Sequence, residues 1–300
     1  MANPICLSPL KFYDSLAKQS HRKSYAYNHI APIITKKWWI PSFQFVIPNQ
    51  AYSNGGNLSV VKLYNAKTDE EVTDLSWMFT NVGNFDVRTI DSYKVAMFIS
   101  RKNSADYLKD VTPSIPEGLY YLKLASGNGG LWTYYSEVFC FTNVTKDCLE
   151  LEYWNETGNF AIKNGVIAFP SDFHFKLLLK SEIGKPEYNF EEESTKRLGY
   201  VYVESQVSKK TYKFNVVVPE YICDALRIVR LCDNKIIRCK DDEYEAISFE
   251  MEAEWQTQGD LASVTCEFET DNVVANIGGF VPDKLGGDYN NDYNEDFDKE

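Results

Sequence analysis

The chain has 300 residues, 44% hydrophobic and 15% aromatic, which excludes wholesale disorder and leaves ample material for packed cores. Its formal net charge is −12, which argues against nucleic acid or an anionic membrane as the main partner. At this length two domains are expected, since domains of roughly 100–200 residues are the norm.

The start, Met1-Ala2-Asn3-Pro4-Ile5-Cys6, has neither the basic residues nor the apolar run of a secretion signal. No apolar stretch reaches the roughly 20 residues that a membrane-spanning helix needs. The expectation is a protein made and kept in a reducing cytosol, without stable membrane association. The seven cysteines agree, being odd in number and free of CxxC pairs. Cys140, Cys223 and Cys266 sit among apolar neighbours and read as buried thiols.

Residues 1–36 read as an N-terminal arm. Ser8 and Pro9 offer a helix start, and Leu10, Tyr13, Leu16 and Ala17 recur at helical spacing. The segment is basic where the rest of the chain is acidic. An apolar face ahead of the first strand needs a surface to cover it. Leu10, Phe12, Tyr13 and Leu16, with Arg22 and Lys23, are therefore candidate subunit-interface residues. The alternative is that the arm caps its own β-domain.

Residues 37–144 read as a β-sandwich domain. In WWIPSFQFVIP (38–48), Phe43, Phe45 and Ile47 alternate with Ser42, Gln44 and Val46, bounded by Pro41 and Pro48. SVVKLYNA (59–66) and YKVAMFIS (93–100) read as further strands. In LYYLKLASGNGGLWTYYSEVFCF (119–141), Tyr120, Leu122 and Leu124 share one face; Trp132, Tyr134, Val138 and Cys140 share one after the Gly/Asn segment. That pattern predicts a hairpin, because Gly and Asn tolerate the positive φ of tight turns. A phosphate-cradling loop would lead into a helix, whereas Leu131 to Tyr135, directly after Gly130, have a strand-like pattern.

Residues 145–281 read as a second β-rich domain with one helix. LELEYW (149–154), FHFKLLLK (173–180) and YKFNVVV (212–218) have strand patterns. In PEYICDALRIVRL (219–231), Pro219 starts a helix, Glu220 and Asp224 suit its first turns, and Ile222, Leu226 and Val229 share a face. Ile247, Phe249, Met251, Ala253 and Trp255 then alternate with Ser248, Glu250, Glu252 and Glu254, the pattern of a half-buried antiparallel strand. VTCEFE (264–269) returns beside it. Residues 282–300 read as a disordered acidic tail, with seven acids against two lysines from Asp283 onward. Asp288, Asn290, Asp292, Asn294 and Asp296 have the spacing of a calcium loop, but Tyr293 and Lys299 occupy its glycine and bidentate-acid positions. The expected fold class is mainly β, with two antiparallel sandwich-like or barrel-like domains and one or two short helices.

Catalytic signatures are missing. There are three histidines (His21, His29, His174), and no HExxH, GxSxG or paired-cysteine pattern occurs. Glu250, Glu252 and Glu254 lie at strand spacing and read as a solvated row. No enzyme activity, metal site or cofactor is expected. Aromatic density supports one alternative, a carbohydrate- or receptor-binding module stacking sugars on Trp132 and Tyr134.

SPLKFYDSLAKQSHRKSYAYN with IPSFQFVIP, then GLYYLKL and YYSEVF, and finally EWQTQGDLASVTCEFETD, together resemble a tail structural protein of the crAss-like bacteriophages that infect Bacteroides. The SEVF ending also resembles the last strand of fibronectin type III-like modules. The phage resemblance implies a virion component of the tail barrel or tail hub, synthesised in the host cytoplasm. It implies a ring formed with copies of itself and other tail proteins. It implies no catalytic residues, no cofactor and no direct nucleic-acid recognition.

Overall fold

The structure is a computed structural model that describes residues 6–19, 32–35, 40–48, 58–80, 86–90, 93–100, 115–126, 133–143, 146–156, 159–162, 165–169, 173–197, 200–255, 261–270 and 274–277. It is mainly β. The strands run β1 (Phe12–Tyr13), β2 (Ile33–Thr35), β3 (Phe43–Pro48), β4 (Leu58–Asn65), β5 (Glu71–Asp74), β6 (Phe79–Thr80), β7 (Asp86–Ile90) and β8 (Tyr93–Ser100). Next in the chain are β9 (Gly118–Ser126), β10 (Thr133–Ser136), β11 (Phe139–Thr142), β12 (Leu149–Trp154), β13 (Asn159–Ile162), β14 (Gly165–Ala168), β15 (Phe175–Leu179), β16 (Glu187–Arg197) and β17 (Tyr200–Pro219). Helix α1 (Glu220–Arg230) precedes β18 (Asn234–Cys239), β19 (Asp242–Trp255), β20 (Leu261–Thr270) and β21 (Val274–Ile277).

The chain divides into two compact units, Met1–Pro186 with Thr211–Asp271, and Glu187–Lys210 with Asn272–Glu300. Residues on both sides of position 144 belong to the first unit.

In the first unit one sheet is organised on β9, which pairs antiparallel with β4, β10 and β11. The hairpin expected around residues 119–141 is present, with Tyr134 opposite Leu124. Tyr120, Leu122 and Leu124 point into a core with Phe12, Phe43, Phe45, Phe79, Phe98 and Tyr134. The expected single face after the turn is broken. Glu137 and Val138 lie outside the strands, so the alternation restarts: Phe139 and Phe141 join Tyr134 in this core, while Val138 and Cys140 pack in separate clusters. Two residues without strand geometry reset the phase of the pleat.

β3 departs from its expected alternation. Phe43 and Phe45 are fully buried, but Gln44 and Val46, assigned to the opposite face, are buried as well. Val46 enters a second core together with Val95 and Met97 of β8, the antiparallel partner of β3. This short sheet therefore contributes side chains to both cores. Residues 7 and 8 hold Gln44 in place: the Leu7 amide donates to its Oε1 at 3.1 Å, and the Ser8 hydroxyl donates to its backbone carbonyl at 3.2 Å.

The second core is built on strands in the order β15-β12-β18-β19-β20-β17. Leu149, Leu151, Phe175, Leu177, Ile237, Phe214, Val264 and Phe268 line it. The expected helix forms as α1, with Glu220 in the first turn and Arg227 and Arg230 in the last, each favoured by the helix dipole. Ile222, Leu226 and Val229 are fully buried in this core. On β19 the pairing with β20 shifts register between Ala246 and Ser248. The bulge turns Ile247 outward to 51% exposure and puts Ala246 inside, correcting the expected run of buried residues. Trp255, at the end of the strand, is also exposed.

The second unit contains β16, the Tyr200–Lys210 part of β17, and β21. β17 pairs with β16 and also, at Ser205–Ser208, with β21. None of the side chains described in this unit (187–195, 205–210 and 274) is buried.

Candidate functional site

Four of the predicted interface residues are described, and three of them fold into the chain itself. Leu10 and Phe12 are fully buried, with Phe12 4.9 Å from Phe43 and 5.1 Å from Phe45 between ring centroids. Residues 12–13 form β1, which pairs with β10, and 16–18 form a 3-10 turn capped by Ser15. The helix expected to start at Ser8 and Pro9 is thus replaced, over residues 12–18, by a strand and a single turn. The cause is tertiary: pairing with β10 satisfies the backbone of Phe12 and Tyr13 while the aromatic core takes the Phe12 ring. Tyr13 is buried, and its hydroxyl donates to Oε1 of the fully buried Glu137 at 3.1 Å. Leu16 is half-buried against the cluster of Ala66, Tyr121 and Val138. Arg22, Lys23 and Trp132 lie outside the described residues, as does the acidic tail.

Tyr134, offered as a sugar platform, is 4% exposed and packs on Phe45 at 5.4 Å. A ring enclosed in this way has no free face for stacking, so the sugar-binding assignment of Tyr134 is corrected to a core role. The thiols are equally withdrawn. All seven cysteines are free and six are buried. Burial pushes Cys140 and Cys223 up to about 11 and Cys232 up to about 12, far from the thiolate that makes cysteine reactive.

A charged cluster absent from the sequence-based candidates crosses β15, β12 and β18. Glu152 sits opposite Lys176 of β15, and its neighbour Glu150 sits opposite Arg238 of β18. Arg238 Nη1 donates to Glu152 at 2.7 Å and to Glu150 at 2.9 Å, while its Nε donates to Glu243 at 2.5 Å. His174 Nδ1 lies 2.8 Å from the other Glu152 oxygen, and Lys176 Nζ is 3.2 Å from the carboxylate. Burial acts to raise the Glu152 carboxyl, but His174, Arg238 and Lys176 together outweigh it and hold it at about 2. Acids and bases satisfy one another here, so the cluster braces neighbouring strands and leaves no unpaired charge aimed at a ligand. Its signal was in LELEYW, where Glu150 and Glu152 share the face opposite Leu149 and Leu151; the bases arrive from strands distant in the chain. Glu250, Glu252 and Glu254 form an exposed row, with Arg230 3.6 Å from Glu250.

The surface least explained by the chain's own packing is β16. It is an end strand, hydrogen-bonded among the described residues only to β17. Tyr188 is 61% and Phe190 72% exposed, and strand alternation places them on one face. Glu191 pairs with Lys209 at 2.8 Å, Gln206 donates to Glu192 at 2.6 Å, and Ser205 donates to Glu193 at 3.3 Å. The strand missed selection because EYNFEEESTKR reads as a charged, solvated stretch, and its edge position depends on pairing that the sequence pattern does not report.

No protein-family model and no curated protein matches the chain. Among the described residues no helix is long and apolar enough to cross a membrane.

Proposed function

We propose that the chain is a structural component of a bacteriophage tail, acting through contacts with copies of itself and with other tail proteins rather than through catalysis. One observation carries the reading. The unit of β16, residues 200–210 of β17, and β21 has no buried side chain among those described (187–195, 205–210 and 274), yet it presents the rings of Tyr188 and Phe190 to solvent. Paired strands without a core of their own are marginal in water, and exposed aromatics on an end strand favour association. A neighbouring protein supplies the missing cover. The phage resemblance of the sequence makes that neighbour a member of a tail barrel or hub, arranged as a ring.

Immunogold labelling of phage particles with antibody to this chain, together with electron microscopy of the purified protein, tests the proposal. The expected result is label confined to the tail and self-association of the purified protein. Unlabelled particles and a protein that remains monomeric would overturn it.

A further inference from the structure

We infer that β16 is the contact surface for a second copy of this chain, paired edge to edge and antiparallel about a two-fold axis at Ser194. The inference rests on the assembly reading above and names the surface and the partner. It starts from the open edge: β16 has β17 on one side and no strand among the described residues on the other. Such an edge presents backbone donors and acceptors to any strand that fits.

The sequence of the strand selects the partner. From Glu191 to Arg197 it reads EEESTKR, three acids, two small hydroxyl residues and two bases. Antiparallel pairing of two copies about Ser194 sets Glu191 opposite Arg197, Glu192 opposite Lys196, and Glu193 opposite Thr195. Each of the first two pairings occurs twice by symmetry. Opposite charges directly across a strand pair stabilise it and like charges destabilise it, so this register is favoured over neighbouring ones. Pairing centred on Glu192 would instead place Glu191 against Glu193 and Glu192 against itself. The hydrogen bonds of Glu191 and Glu192 to β17 leave room for a second partner, because a carboxylate accepts several donors and both side chains are exposed.

The contact is isologous, so it closes on itself as a dimer, and a ring takes a second, head-to-tail surface besides it. The overlap is short against the ~1,200 Å² of a standard stable interface, which sets a weak, micromolar association. Charge complementarity then fixes register and partner choice more than raw affinity.

The test is a charge swap in the full chain. One variant carries Glu191→Lys with Glu192→Lys, and the other carries Lys196→Glu with Arg197→Glu. Each alone meets its own kind with like charges; mixed, every pairing is attractive again. Mass by light scattering should show a wild-type dimer, two variants each weakened on the order of 100-fold, and a dimer restored in the equimolar mixture. Circular dichroism and melting temperature confirm that both variants fold. A wild type still monomeric at about 100 µM overturns the inference. Variants that fall apart but do not rejoin overturn the register. A multimer whose mass neither variant lowers overturns the surface, and in that case assembly itself stands and proceeds elsewhere.

Discussion

His174 lies flat against Trp154, with ring centroids 4.2 Å apart and planes 2° from parallel, while its Nδ1 reaches Glu152 at 2.8 Å. The stack aims the imidazole along the sheet surface, so one residue joins an aromatic contact to an ion-pair cluster. Replacing Trp154 with alanine removes the platform. We expect a loss of about 1–2 kcal/mol in chemical denaturation at neutral pH. We also expect the Glu152 carboxyl, followed by NMR titration, to move up from about 2 as His174 loses its orientation. An unchanged titration would show that Arg238 and Lys176 suffice.

Glu152 itself links stability to acid. Its folded pKa is depressed from 4.5 to about 2, so its contribution is complete above the unfolded value and is lost as pH falls from 4.5 to 2. Glu152→Gln should cost on the order of 2–3 kcal/mol at neutral pH and flatten the stability profile in that acid window. Thermal melts of both proteins between pH 2 and 7 check the sign as well as the size.

Phe12 offers a direct measure of where the N-terminal segment belongs. Its ring is fully buried between Phe43 and Phe45 of the same chain. Phe12→Ala is expected to lower unfolding stability by about 3–5 kcal/mol whatever the protein concentration. A variant of normal stability that only loses mass in solution would contradict the burial.

The bulge on β19 makes neighbouring residues behave oppositely. Ile247→Thr should change stability by no more than about 0.5 kcal/mol, since Ile247 is 51% exposed. Phe249→Ala, at 2% exposure, should cost about 3–5 kcal/mol. Ala246→Leu should cost about 1–3 kcal/mol by overpacking the position the bulge turns inward. Parallel urea melts of the three variants distinguish the bulged register from a regular strand.

Local periodicity is legible along the chain. Alternation in YYLKL and TYY on either side of a Gly/Asn segment is enough for a hairpin, because a pleated strand shows its two faces every second residue. The α1 helix was equally legible, since Pro219, Glu220 and the spacing of Ile222, Leu226 and Val229 all belong to short-range chemistry. Alternation reports only that one face differs from the other; it carries no information about what covers each face. Gln44 and Val46 are buried because the sheet of β3 and β8 contributes to two cores, a fact of long-range packing. Residues 12–13 form a strand in place of the expected helix because an aromatic core and the β10 edge outcompeted a short helix, whose nucleation is costly in isolation. Glu152 found Arg238 and Lys176 only when strands far apart in sequence became neighbours. Local steric and hydrogen-bonding rules set the elements, whereas register shifts, shared sheets and ion pairs arise from contacts whose loop-closure entropy is met by the assembled core.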